Sequence, residues 1–220
     1  MKKTALLCLF ALLLGCGLGF ALGRRPDGSP PLSAAGAEIP AHLITPSGTQ
    51  PPKDNAALLN AGSAVLLALQ SGDIEALAGI VHPERGVTFT PYSTVDPISN
   101  LTFLPDQLTE AASNRTQYVW GTAQGSGEPI KLSLNDYLER YVYNASYVSA
   151  PIIGIDYIIS SGNSLENVGE VYSDARFLEY YFPGLEPSYS GLDWCALKTV
   201  FEWYDGQYRL IALIHSEWTI

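Results

Sequence analysis

The sequence predicts an α+β domain in which N-terminal helices pack on a curved, mainly antiparallel sheet. Three observations predict it. Helical periodicity rules from Asp54 to Val81, period-two alternation takes over from Gly86, and the chain closes on two long strands around Asp205-Gly206. Helices followed by strands, without regular βαβ alternation, is the order of an α+β fold.

Each element has a local reason. Asp54 to Gln70 is helical because Leu58, Ala61, Val65, Leu66 and Leu69 fall on one face. Ser71-Gly72-Asp73 breaks it, and Asp73 caps a second helix with Ile74, Leu77, Ala78 and Val81 inward; Pro83 is the expected stop. Val87 and Phe89 alternate with Thr88 and Thr90 as a strand, and Leu101 to Phe103 is a short extended piece. Pro105 to Ala112 reads as a helix. Gln117 to Gly121 and Pro129 to Leu132 read as strands joined through Gly125-Ser126-Gly127. Ser133 caps a helix from Leu134 to Tyr143. Asn167 to Tyr172 and Ala175 to Phe182 are expected as strands.

The last hairpin carries the sharpest expectation. Asp-Gly is favoured in a two-residue type I′ turn, which pairs Tyr204 with Gln207, Glu202 with Arg209 and Ala196 with His215. Strict alternation then puts Cys195, Leu197, Thr199, Phe201, Trp203, Tyr208, Leu210, Ala212, Ile214, Ser216 and Trp218 on an apolar face toward the core. His215 and Glu217 fall on the other face. This register separates Cys195 from His215, so a Cys/His dyad fails in it unless a bulge falls between Trp194 and Lys198, and it makes Glu202–Arg209 an outer cross-strand ion pair.

The domain is preceded by two segments of different character. Residues 1–23 form a basic start (Lys2, Lys3) and an apolar run, followed by Arg24-Arg25, the pattern of an export signal. Leu13-Leu14-Gly15-Cys16 resembles a bacterial lipobox, in which a thiol after a small residue receives lipid; Cys16 is the candidate attachment point. Cleavage at Ala21-Leu22-Gly23 and retention as an anchor stay open, since about 18 apolar residues can span a bilayer. All three outcomes place the domain outside the cytoplasm; a lipid on Cys16 or a retained N-terminal segment would hold it on the extracytoplasmic face of a bacterial cell membrane. Residues 24–52 hold seven prolines and no apolar periodicity, and read as a disordered linker. Residues 53–220 make one domain.

Charge narrows the partners. Residues 1–52 hold four Lys/Arg and two acids, so the domain carries eight bases and 20 acids, a net of −12. Such a surface repels phosphate backbones, so nucleic acid is not an expected partner. With Cys8 and Cys16 in the leader, Cys195 is the domain's one thiol, and neither a disulfide framework nor a thiolate metal cluster can form.

The stretch Ala64-Val65-Leu66-Leu67-Ala68-Leu69-Gln70-Ser71-Gly72-Asp73-Ile74-Glu75-Ala76-Leu77 and the segment Val81-His82-Pro83-Glu84 resemble the opening of the nuclear transport factor 2-like superfamily. Leu197 to Glu202, Asp205-Gly206 and Tyr208 to Ile211 are similar to its terminal hairpin. His-Pro-Glu and the Trp-Thr-Ile ending also resemble a group of bacterial extracytoplasmic lipoproteins. The resemblance implies a cone-like fold with an apolar pocket, which serves isomerases, cyclases and dehydratases as well as non-catalytic binding modules.

No motif selects a reaction or a cofactor. Gln124-Gly125-Ser126-Gly127-Glu128 lacks the Lys of a phosphate loop. His82-Pro83-Glu84 reads as a helix end whose His complements the negative helix terminus. His215 and Glu217 make two metal ligands of one face without a third. Tyr118, Trp120, Tyr181, Phe201 and Trp218 are the candidate lining of a ligand pocket for a sugar, peptide or small amphipathic molecule. The expected function is a displayed binding module for a protein, a cell-wall component or a small ligand. The alternative is an isomerase- or hydrolase-like enzyme using an acidic residue in the pocket.

Overall fold

The computed structural model describes residues 54–159 and 161–218. The leader, Cys16 and the linker lie outside the described residues. The chain is α+β: helices pack on a six-stranded, mainly antiparallel sheet.

Helix α1 spans Asn55–Ser71. The Asp54 side chain accepts from Ala56 N at 2.9 Å, and Gly72 closes the helix at φ 67°. Its buried face includes Leu58, Val65, Leu66 and Leu69. At Gly62 the helix crosses the sheet so closely that a Cβ would force the buried side chains of Tyr180 and Leu178 to move. Asp73 caps α2 (Ile74–Ile80) by accepting from Ala76 N. This helix ends before Pro83 exerts any constraint. Val81 turns extended and bridges Leu210 in parallel, and His82 N donates to Leu210 O at 2.9 Å.

The sheet runs β2 (Leu101–Phe103), β1 (Val87–Thr90), β8 (Gln207–Glu217), β7 (Cys195–Tyr204), β6 (Arg176–Phe182), β5 (Ile152–Ile155). Only β1 and β8 are parallel neighbours. Strands β3 (Tyr118–Thr122) and β4 (Pro129–Leu132) form a separate hairpin. Helix α3 (Pro105–Asn114) follows β2. Helix α4 (Leu134–Tyr137), capped by Ser133, continues into a π turn at Leu138–Val142, closed by Tyr143 N donating to Leu138 O at 2.7 Å. Strand β5 has no periodic signature and pairs as an edge on β6.

Two sequence expectations are corrected. Val168–Val171 is one turn of helix, α5, not a strand. Asn167 holds Val95 with both halves of its amide, accepting from Val95 N at 2.8 Å and donating to Val95 O at 2.9 Å, which fixes the turn's start; only Val168 then faces inward.

The second correction is the register of the last hairpin. The turn is as expected, with Asp205 at φ 47° and Gly206 at φ 78°, and Tyr204 opposite Gln207. A bulge at Ile211 then shifts β8 by one residue. Ala196 therefore faces Ser216, Leu197 faces His215 and Cys195 faces Glu217. An extra residue in one strand flips every side chain beyond it. Leu213, His215 and Glu217 turn toward the helices; Ala212, Ile214 and Ser216 turn away. Two apolar clusters follow, one on each side. The larger includes Leu58, Leu77, Phe89, Trp120, Leu197, Phe201 and Leu213. The smaller, on the far face, joins Val95, Val168, Val200, Ile211, Ala212 and Ile214.

Candidate functional site

Aromatic side chains fill the helix side of the sheet. Trp120 stacks on Tyr137 with centroids 3.8 Å apart, and Phe89 meets both edge-on. Beyond this core, at the end of β8, lies a polar cluster built from the π turn and the shifted strand.

His215 is its centre, and it is buried. Its Nε2 lies 3.3 Å from Glu217 Oε2, near enough to attract but out of line for a straight hydrogen bond, and Nδ1 has no partner. The Tyr141 ring meets the imidazole edge-on. Burial lowers the His215 pKa, against the pull of Glu217, so the ring is neutral. Burial alone would raise Glu217, but His215 and Arg140 outweigh it and bring it down to about 2. Arg140 grips the same carboxylate with both terminal nitrogens, at 3.3 and 3.0 Å, and lies over the Tyr141 ring at 4.7 Å. Tyr141 is raised to about 12 by burial and by Tyr92 beside it.

The bulge in β8 carries His215 onto the helix-side face where Cys195 already points, so the expected separation of the two does not hold. The thiol's own neighbour is nevertheless Tyr147, and burial raises its pKa. A nucleophilic pair needs a thiol lowered by its base; here the thiol is raised and the imidazole neutral. Among the described residues no three His, Cys, Asp or Glu side chains gather as metal ligands.

The five candidate pocket residues occupy different places. Trp120 is core, its indole N–H donating to Leu132 O at 3.0 Å. Tyr118 packs edge-on to Phe103 and Trp120 near the β3–β4 hairpin. Phe201 is buried against Tyr208. Tyr181 is half-buried beside Trp194. Trp218 is 43% exposed just past β8. Only Tyr118 and Trp120 touch each other.

His82 does not serve a helix terminus. Its Nδ1 accepts from Glu84 N at 3.2 Å and Arg85 N at 3.1 Å, so that nitrogen carries no proton and the ring caps a turn. Burial lowers its pKa first, in keeping with a neutral ring. Glu202 and Arg209 do face each other across the strands, but the carboxylate is taken by Arg85 and the guanidinium donates to Gly79 O.

A surface groove of about 660 Å³ is the feature that sequence reading missed. It lies between the end of α1, the start of α2, α3 and the π turn. Leu69, Ile74, Ala112 and Leu138 form its apolar floor, with Glu139 and Tyr143 among its polar lining. The Tyr143 hydroxyl is shielded from water and has no partner. The last turn of α1 has no basic residue, so its negative end is not offset by a nearby cation. The π turn is the local signal that could have pointed here, since such turns recur at functional sites, but no residue pattern announces one.

No family model matches the sequence, and no curated protein matches it. Among solved structures, the chain is similar to a variant of a chain titled Rd1NTF2_05, at 11% identity and TM-score 0.32, over 75% of this chain and 100% of that one. It is also similar to a putative calcium/calmodulin dependent protein kinase II association domain from Xanthomonas campestris, at 10% identity and TM-score 0.29, over 74% of this chain and 84% of that one. At these scores the fold assignment rests on the chain's own strand order and register.

Proposed function

We propose that this chain is a non-catalytic binding module, displayed on the extracytoplasmic face of a membrane by lipid on Cys16 or by the N-terminal apolar run. Its ligand binds in the groove beside α1 and the π turn. The observation that carries the reading is the state of the ionisable groups in the buried cluster. A general base works best with a pKa near the operating pH. Glu217 is instead held near 2 by Arg140 and His215, His215 is neutral, and Cys195 is raised. The groove, by contrast, is open and apolar-floored, with a carboxylate (Glu139) beside a helix C-terminus. That suits a ligand with an apolar body and a cationic group, such as a basic amphipathic peptide of a cell-surface protein.

The test is affinity capture on the domain from Lys53, with ligands identified by mass spectrometry and repeated with Glu139→Lys. This change is on an exposed residue and leaves the floor intact. The expected result is one basic ligand whose Kd rises about tenfold in the variant, the scale of one lost ion pair assisted by a helix terminus. Equal capture by both proteins sinks the groove reading. A turnover abolished by Glu217→Gln would restore the enzyme alternative.

A further inference from the structure

The far face of the sheet carries a second polar cluster, sealed beneath the segment between β5 and α5. Lys198, in the middle of β7, is wholly buried. Its Nζ donates to Ser216 Oγ at 3.0 Å and lies 2.7 Å from Glu166 Oε2 and 3.7 Å from Glu179 Oε1. Ser216 Oγ is 2.8 Å from Ser93 Oγ. On the same face Thr90 is also wholly buried, and its hydroxyl has no partner.

We propose that Lys198, Ser216 and Ser93 form a binding site for a small carboxylate, which Glu166 occupies in cis. Burying a lysine costs several kcal/mol before any partner is counted, and its neighbours Val200, Ala212 and Ile214 give it no polar role in the apolar cluster. Glu179 is its register partner across β6 and β7, so the sheet itself already supplies one carboxylate for one ammonium. That carboxylate is fixed from outside by Ile159 N, at 2.7 Å. Glu166 is the additional acid. It comes from an irregular segment rather than a strand, and it retains 10% side-chain exposure where Lys198 and Glu179 retain none, which places it at the mouth.

An incoming carboxylate would replace Glu166 charge for charge and acceptor for acceptor. The desolvation of Lys198 and the repulsion from Glu179 would be unchanged, so the exchange depends only on releasing the segment. Its fastenings are polar: at the surface Thr94 Oγ1 donates to Leu165 O at 2.8 Å and Gln124 to Ser164 Oγ, and at its base Val168 N donates to Glu166 Oε1 at 3.2 Å and the Asn167 amide holds Val95. Leu165 itself is 69% exposed. Segments held this way open at a fraction of the global unfolding free energy.

The probe is sodium formate, with sodium chloride at the same ionic strength as control. In the Glu166→Ala variant the site is emptied, and formate should shift the unfolding equilibrium about tenfold at saturation, read as a rise of about 3–5 °C in Tm. Chloride should not. The shift should vanish in Glu166→Ala/Lys198→Met. In the wild-type protein, formate competes with Glu166 and should speed hydrogen exchange of amides 161–167 at least threefold, a readout that needs no variant to fold. A formate effect equal to that of chloride in Glu166→Ala, a shift that survives loss of Lys198, or unchanged exchange in the wild type would each overturn the proposal.

Discussion

Strands β7 and β8 carry a polar cluster on each face, and the two are built to opposite plans. On the helix side, Arg140 is half-exposed and reaches in to a carboxylate whose side chain retains 20% exposure. Water can stand in for either partner. On the far side, Lys198 and Glu179 are wholly buried, so each charge depends on protein groups alone. Similar chemistry is therefore a modest, salt-sensitive contact in one place and a requirement of the fold in the other.

Both clusters depend on the bulge at Ile211, and its removal is the largest way to break the comparison. Deleting Ile211 would restore the regular register, turn His215 and Glu217 away from Arg140, and drive Ser216 into the helix-side core. The expected result is loss of the cooperative thermal transition, a penalty of about 5 kcal/mol or more, comparable to the whole stability of a domain. A circular-dichroism melt decides it: a retained sharp transition means the bulge is incidental.

Next in size is the contrast between the two cations. Lys198→Ala strands buried Glu179 beside Glu166 and should cost about 3–5 kcal/mol. Arg140→Ala should cost about 1 kcal/mol or less, because Glu217 can turn to water. Urea unfolding midpoints of the two variants measure the difference. Equal costs would mean that exposure does not separate the faces.

The fold is legible in the sequence, and the contrast between the two faces is not. The caps at Asp54, Asp73 and Ser133, the Gly72 stop and the Asp205-Gly206 turn are local chemistry, and each could be read from a few residues. The register beyond the turn could not. Leu210-Ile211-Ala212-Leu213-Ile214 is apolar throughout, because both faces of the sheet are covered, so no alternation marks where the extra residue sits. Strict alternation then sent His215 to the wrong face. Lys198 lies on the face away from the helices, where alternation from the turn places it, but that face is covered, and its partners Glu166 and Glu179 carry no shared motif that would announce the burial. Strand β5 was missed because Ile152-Ile153-Gly154-Ile155 has no period. The groove depends on where α1, α3 and the π turn come to rest, which only packing decides.

The smallest effect is also the most discriminating, because its sign with pH is fixed. Glu217 is lowered from the usual 4.5 to about 2, so it stabilises the fold above pH 4.5 and loses that contribution as pH falls through 2. His215 is lowered too, but as a base: the unfolded chain takes up its proton near pH 6.5 and the folded one does not, so stability already begins to fall below that pH. Glu217→Gln removes the first effect and keeps the second. The variant should therefore be less stable than the wild type by about 1 kcal/mol at pH 7.5, a figure reduced for the half-exposed Arg140. The gap should not narrow between pH 6.5 and 4.5, because losing the pull of Glu217 lowers His215 further and the variant weakens at least as steeply there, and it should close toward pH 2. Urea midpoints at pH 7.5, 5.5, 4.5 and 2.5 give the curve. A gap that has already closed at pH 5.5 would assign the acid sensitivity to His215 alone and leave Arg140–Glu217 as a surface contact like any other.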